Sequence, residues 1–251
     1  MQARIVAAAR GVGWIGDGWR LFRAAPLAWL ALVFAYWLVI SVVSLVPYAG
    51  LVAAAVMVPA LSVGFMAAAR AAERGARVEL GLLFEGFRQN PAPQLALGVV
   101  YFLCLCAAIG ASSLADGGAL ARMLLAGGRP DPAEVQPDEL GAAAITAALG
   151  YAPVMMLFWF SPPLVAWHAA PPAKALFFSA AAFLMNWRAF AAYGAACLAG
   201  TLALSAAMLF GAAALGVPPM ALVTPVLLVL LPLLFASFYA SYRDVFAVEP
   251  K

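Results

Sequence analysis

Long stretches of apolar residues dominate the chain, and polar residues gather in short segments between them. Six apolar runs stand out, at 26–46, 48–69, 93–115, 141–168, 189–214 and 219–242. Each reaches about 20 residues, the length an α-helix needs to cross the hydrocarbon core of a bilayer. A spanning segment must satisfy its backbone polar groups internally, so these runs predict helices. "VPYAG" between the first two runs and "LGVPP" between the last two leave room only for tight hairpins. The fourth run is overlong, which predicts tilt or a start outside the hydrocarbon.

Three shorter segments carry mixed patterns that predict amphipathic helices on the membrane surface. In residues 1–23, Val12, Ile15, Trp19 and Phe22 fall on one side, and Arg10, Asp17, Arg20 and Arg23 elsewhere. Gly11, Gly13, Gly16 and Gly18 weaken this helix in isolation, so membrane or protein packing must hold it. In 78–90, Leu80, Leu83, Phe84 and Phe87 make an apolar face. In 172–187, Leu176, Phe177, Phe183 and Trp187 do the same. The first segment lacks the continuous apolar core of a signal peptide.

A spacing recurs across the spans. Pro59 precedes Arg70, Pro163 precedes Lys174, and Pro232 precedes Arg243, each time by eleven residues. Eleven residues of helix rise about 16 Å, roughly half the hydrocarbon thickness. The expectation is that Arg70, Lys174 and Arg243 are interface anchors and that the three prolines sit near the midplane, each bending its helix. The segments "FRAAPLAWLALV", "FRQNPAPQLALG" and "FLMNWRAFAAYG" echo one another before the outward spans. The unit they suggest is an interfacial helix, a span out and a bent span back, repeated three times.

Composition sharpens the class. The chain is 67% hydrophobic and only 10% charged, against about 25% charged for soluble domains. An all-α polytopic membrane bundle follows, a single integral domain over 1–251 with an outside loop at 116–140. If both termini lie in the cytoplasm, only Arg122 and Arg129 of the 14 Lys and Arg residues fall outside. That is the positive-inside pattern. The net charge of +3 is thus a topology signal, and nucleic acid is excluded as a partner because no basic cluster stands on a soluble domain.

Candidate chemistry is sparse. No ionisable group sits near the middle of any span, which argues against a buried proton relay. His168, the sole histidine, lies near the inner end of the fourth span; it reads first as interfacial packing, second as a pH-sensitive or ligand-contacting group. Ser161 is two turns away, but Pro162 and Pro163 intervene, so a Ser–His catalytic pair is disfavoured. Cys104, Cys106 and Cys197 sit within spans and read as apolar fillers. Asp131, Glu134, Asp138 and Glu139 in the outside loop match no metal-loop spacing. No cofactor is implied. "ALARMLLAG" in the same loop predicts a short outer helix. Pro59, Pro163, Pro232, Ser161 and His168 remain as structural or cavity candidates. Gly64 with Ala68, and Ala203 with Ala207 and Gly211, suit close helix contacts. Trp29, Trp37, Trp167 and Trp187 suit interface positions.

The opening "MQARIVAAARGVGWIGDGWRLFRAAPLAWL", with "FEGFRQN", "SPPLVAWH", "FLMNWRAF" and the closing "SYRDVF", resembles a family of proteobacterial six-span inner-membrane proteins named after a Burkholderia locus. The resemblance covers nearly the whole chain. It implies a bacterial inner-membrane location, no particular activity and no site residues. The layout is more weakly similar to the membrane domain attached to some glycerophosphodiester phosphodiesterases, whose catalytic domain is missing here. Two function classes follow: a non-enzymatic scaffold, assembly or lipid-organising component, or a permease handling lipid or small solutes in a cavity between bent helices. The expected partners are the lipid bilayer and, for a scaffold, another membrane protein or a second copy.

Overall fold

A computed structural model describes residues 3–119, 121–122 and 137–246, and every regular element among them is helical. The order is α1 (Ala9–Ala24), α2 (Pro26–Ser44), α3 (Ala49–Glu73), a 3₁₀ turn (Leu80–Phe84), α4 (Glu85–Gln89), α5 (Pro91–Asp116), α6 (Pro137–Phe158), α7 (Ser161–His168), α8 (Pro172–Met185), α9 (Trp187–Leu215) and α10 (Met220–Phe246). Six stretches are long and apolar enough to cross a membrane: α2, α3, α5 to Leu114, α6 and α7 together from Gly141, α9 and α10. The outer helix expected around 119–127, with Asp131 and Glu134, falls largely outside the described residues.

Prolines set several boundaries. Pro26, Pro91 and Pro172 each open a helix, where a missing N–H costs nothing. Tyr48 takes a positive φ of 57° in the α2–α3 hairpin, and a Cβ on Gly50 would come 2.2 Å from the Val43 carbonyl oxygen. Only glycine closes that turn.

α3 is the central helix. Of its most apolar stretch 56% is buried, against 6% for α9. α2, the 3₁₀ turn, α4, α5 and α10 all pack on α3. Glycines let the backbones meet. A Cβ on Gly64 would lie 2.3 Å from Leu83 O, on Gly86 2.3 Å from Ala60 O, and on Gly98 2.0 Å from Val56 O. Lipid tails are as apolar as leucine, so helices in a membrane gain by close packing of small residues. Phe65 of α3 stacks on Phe235 at 4.2 Å and carries the core across to α10.

Packing divides the predicted apolar stripes of two surface helices: Ile15 and Phe22 of the first and Leu176 and Phe183 of the second lie against the core, and the rest face outward. α1 buries Gly11, Trp14, Gly18, Leu21 and Phe22, while Val12 and Trp19 are 54% and 44% exposed. α8 buries Ala175, Ser179 and Ala182, and Phe177 and Trp187 point outward. The 78–90 segment is a 3₁₀ turn followed by a short α-helix rather than one helix, with Leu83 and Gly86 buried and Leu80 and Phe84 exposed. In each case small residues join the packing face, beside larger buried ones such as Trp14, Phe22 and Leu83, and other large apolar residues face outward. Gly64 and Ala68 of the predicted small-residue rows are likewise buried in α3, but Ala203 and Ala207 of α9 are exposed. Trp29 is fully buried and donates to Leu21 O at 3.2 Å, so it is a core residue and not an interface anchor.

Candidate functional site

The overlong fourth run is broken. α6 ends at Phe158, Trp159 and Phe160 bend, and α7 starts with Ser161, Pro162 and Pro163. Pro163 is therefore at the start of a new helix and does not bend a continuous one. Ser179 of α8 fills the break. Its hydroxyl accepts from Phe160 N at 2.9 Å and donates to Met156 O at 2.8 Å. Those backbone groups are four residues apart and would bond each other in an unbroken helix, so the hydroxyl is inserted into the ladder. Asn90, just before α5, and Gln94 in its first turn lie four residues apart and bond backbone carbonyls of α7. Asn90 donates to Val165 O at 3.0 Å and Ala166 O at 3.3 Å, and Gln94 donates to Pro162 O at 2.7 Å.

The break aims Trp159 into the bundle. Its indole N–H donates to Ser241 Oγ at 3.0 Å. Its ring meets Phe238 at 4.9 Å, Phe190 at 5.4 Å and Tyr193 at 5.8 Å, all edge-on. Beside it lies a cavity of about 510 Å³ between α9 and α10, walled by Phe183, Phe190, Tyr193, Cys197, Leu231 and Phe235 among others. Nearly all of its lining is apolar. The Tyr193 hydroxyl is already bonded to Ser237 Oγ at 2.8 Å. A smaller cavity of about 230 Å³ lies on the other side of Trp159, lined by Pro59, Ser62, Pro162 and the Tyr101 and Tyr151 hydroxyls, which are 3.1 Å apart.

The large cavity has a definite height. Along α10, Phe238 and Leu231 are five and twelve residues before Arg243, so the lining runs from about 8 to about 18 Å from the basic end. Set against a bilayer core about 30 Å thick, whose half is about 15 Å, a cavity of that height reaches acyl-chain depth and extends to about the midplane.

The basic end is tied by a charged network that joins α1, α3 and α10. Asp244 accepts from Arg10 Nε at 2.7 Å and from the Trp14 indole at 3.0 Å. Asp17 accepts from Arg10 at 2.9 Å, from Arg243 at 2.7 Å, and from Arg20. Glu73 accepts from Tyr239 at 2.7 Å and from Arg243. Three arginines face three carboxylates, so the network is neutral. Burial alone would raise the Asp17 pKa, but the hydrogen bonds and charges of Arg10 and Arg243 outweigh it and hold the carboxyl below its usual value.

The predicted residues scatter over this frame. Of Pro59, Pro163 and Pro232, only Pro59 lines either cavity; Pro163 and Pro232 are buried in α7 and α10. Pro59 lies inside α3, and Ser62 donates back to its carbonyl at 2.7 Å. Arg243 is the hub of the charged network. Arg70 lies over the Trp167 ring at 4.2 Å with Glu85 at 3.8 Å, and Lys174 is 5.8 Å from the Phe178 ring. His168 Nε2 is 2.7 Å from the Tyr242 hydroxyl, and the Ser161 hydroxyl is buried without a hydrogen-bond partner among the described residues. The structure does not bring Ser161 and His168 together as a pair. Among the described residues no three His, Cys, Asp or Glu side chains gather as a metal site would require. Trp159, Ser179, Asn90, Gln94, Tyr101 and Tyr151 were not singled out by the sequence pattern.

Six apolar spans, a core built on small residues and a charged cap at one end define a polytopic helical membrane protein. The chain is 39% identical over 257 residues to a protein of Burkholderia thailandensis described as "Probable inner membrane protein", covering 99% of this chain and 95% of that one. It belongs to the family of that inner-membrane protein, as the motifs of the sequence indicated. No family model matches it, and no solved structure does.

Proposed function

We propose that the protein is a non-enzymatic, lipid-organising component of the inner membrane, with both termini in the cytoplasm, that seats a lipid acyl chain in its large cavity. The cavity carries this reading. Its volume of about 510 Å³ falls within the range of small-ligand sites, roughly 300–1,000 Å³. Its aromatic and aliphatic walls offer a chain close contact and ask for no polar partner. It stands at acyl-chain depth, and the positive-inside pattern supports putting its basic end on the cytoplasmic side. α9, which borders it, meets α8 and α10 sparsely and leaves a lateral way in from the bilayer. A small-solute permease fits less well, because no charged side chain lines the large cavity.

Gly194 supplies the test. It lines the cavity, and a Cβ built there meets nothing within 4 Å. Gly194→Trp should fill the space while the fold persists. Purified gently, the native protein should retain phospholipid by native mass spectrometry and the variant should lose it. Equal retention by a folded variant would refute the cavity as the seat. For topology, a reporter after Lys251 should read cytoplasm and one near Pro132 the opposite side.

A further inference from the structure

The two cavities meet at one wall. Met155, Trp159, Phe235 and Phe238 line both, facing about 510 Å³ on one side and about 230 Å³ on the other. Met155 is a flexible side chain, and Phe235 and Phe238 are held by ring contacts with Phe65 and Trp159. Trp159 is pinned further. Its indole is tied to Ser241 at 3.0 Å, and its backbone stands at a break that Ser179 holds open through the next residue. Phe190, Tyr193 and Phe238 press edge-on against the ring from α9 and α10.

We infer that Trp159 is a length stop for the bound chain, a specificity-determining residue whose indole ends the large cavity and shuts off the small one. This rests on the acyl-chain reading above. A chain that fits the large cavity finishes against the ring. A longer chain needs the space beyond, whose far wall is Val58, Pro59 and Ser62 of α3. The ligand class is therefore a phospholipid with chains selected by length, and the small cavity is the reserve that the tryptophan withholds.

The test uses the full chain in mild detergent, incubated with mixed micelles containing equal amounts of phosphatidylethanolamines with short, medium and long saturated chains. Retained lipid is identified by native mass spectrometry. The native protein should keep a narrow band of chain lengths. Trp159→Ala and Phe238→Ala should both shift the band upward, raising the long-to-medium ratio by about threefold or more; the effect is modest because the competing micelle is apolar too. Phe238→Ala leaves the Trp159–Ser241 bond in place, so it decides the matter if Trp159→Ala does not fold. Adding Ser62→Phe to the Trp159→Ala chain should refill the small cavity and restore the native band. If the native protein retains phospholipid and neither single variant changes the band, the length stop is wrong and the acyl-chain reading stands. If the native protein retains none, both fall.

Discussion

Gly11 is the position where one methyl group should do most harm. An added Cβ would lie 2.0 Å from the Ala189 carbonyl oxygen and 2.9 Å from Tyr193 N, both main-chain atoms of α9 that cannot swing aside. Ordinary contact begins at 3.4 Å, so α1 must retreat by the difference between 3.4 and 2.0, about 1.4 Å. A displacement of that size is comparable to the whole tolerance of a hydrogen bond, so it strains the 2.7 Å Arg10–Asp244 and 3.0 Å Trp14–Asp244 bonds that seat α1 on α10. Overpacking and the strain on charged hydrogen bonds together should cost about 2–4 kcal/mol. Gly18 has backbone 2.8 Å away, so alanine there demands a smaller retreat and should cost less. Gly16 has nothing within 4 Å, and alanine there should stabilise by about 0.5–1 kcal/mol through helix propensity. Thermal unfolding in mild detergent, followed by tryptophan fluorescence, measures all three. The expected order of stability is Gly16→Ala, native, Gly18→Ala, Gly11→Ala. A Gly11→Ala protein as stable as Gly16→Ala would refute the docking of α1 on α9 and α10.

Other substitutions probe different parts. Ser179→Ala should leave Phe160 N and Met156 O without their bridge and lower stability by about 1–3 kcal/mol, read by the same unfolding assay. Asn186→Ala removes bonds to Val6 N, Arg4 O and Ala182 O, so limited proteolysis should cut the first residues faster; an unchanged rate would refute the tether. Asp17 has a depressed pKa in the folded state, so its contribution is full above its ordinary value of about 4 and is lost as pH falls through the folded value. The melting temperature should fall on acidification below about pH 4, and Asp17→Asn should be less stable at neutral pH with a flatter acid limb.

The spans were legible because length and apolarity suffice to declare them. The faces of α1 and α8 were legible only in part: Phe22 and Phe183 of their apolar stripes pack inward, but Gly11, Gly18, Ala175 and Ala182 also take the packing face, because in lipid small residues let backbones touch. Asn90 and Gln94 carried a signal that went unused, since two amides one turn apart at the head of a span imply a buried partner. The break at Trp159 was half visible in "SPP", but the hydroxyl that holds it comes from Ser179 on another helix. Nothing local marks Asp17 and Glu73 as partners of Arg243, 226 and 170 residues away. Their pairing depends on three helices brought together by the fold.

That pairing has a consequence for how the protein is made. Arg10 and Asp244 are 234 residues apart, and the charged tie of the N-terminal helix to α10 forms only when they meet. At synthesis rates of about 5–20 residues per second, the helix leaves the ribosome roughly 12–47 seconds before its partner. Through that interval its arginines and exposed Trp19 can rest on the lipid surface, in a waiting position. Insertion of the last span then delivers Arg243 and Asp244 together, and closure of the charged cap reports that all six spans have arrived.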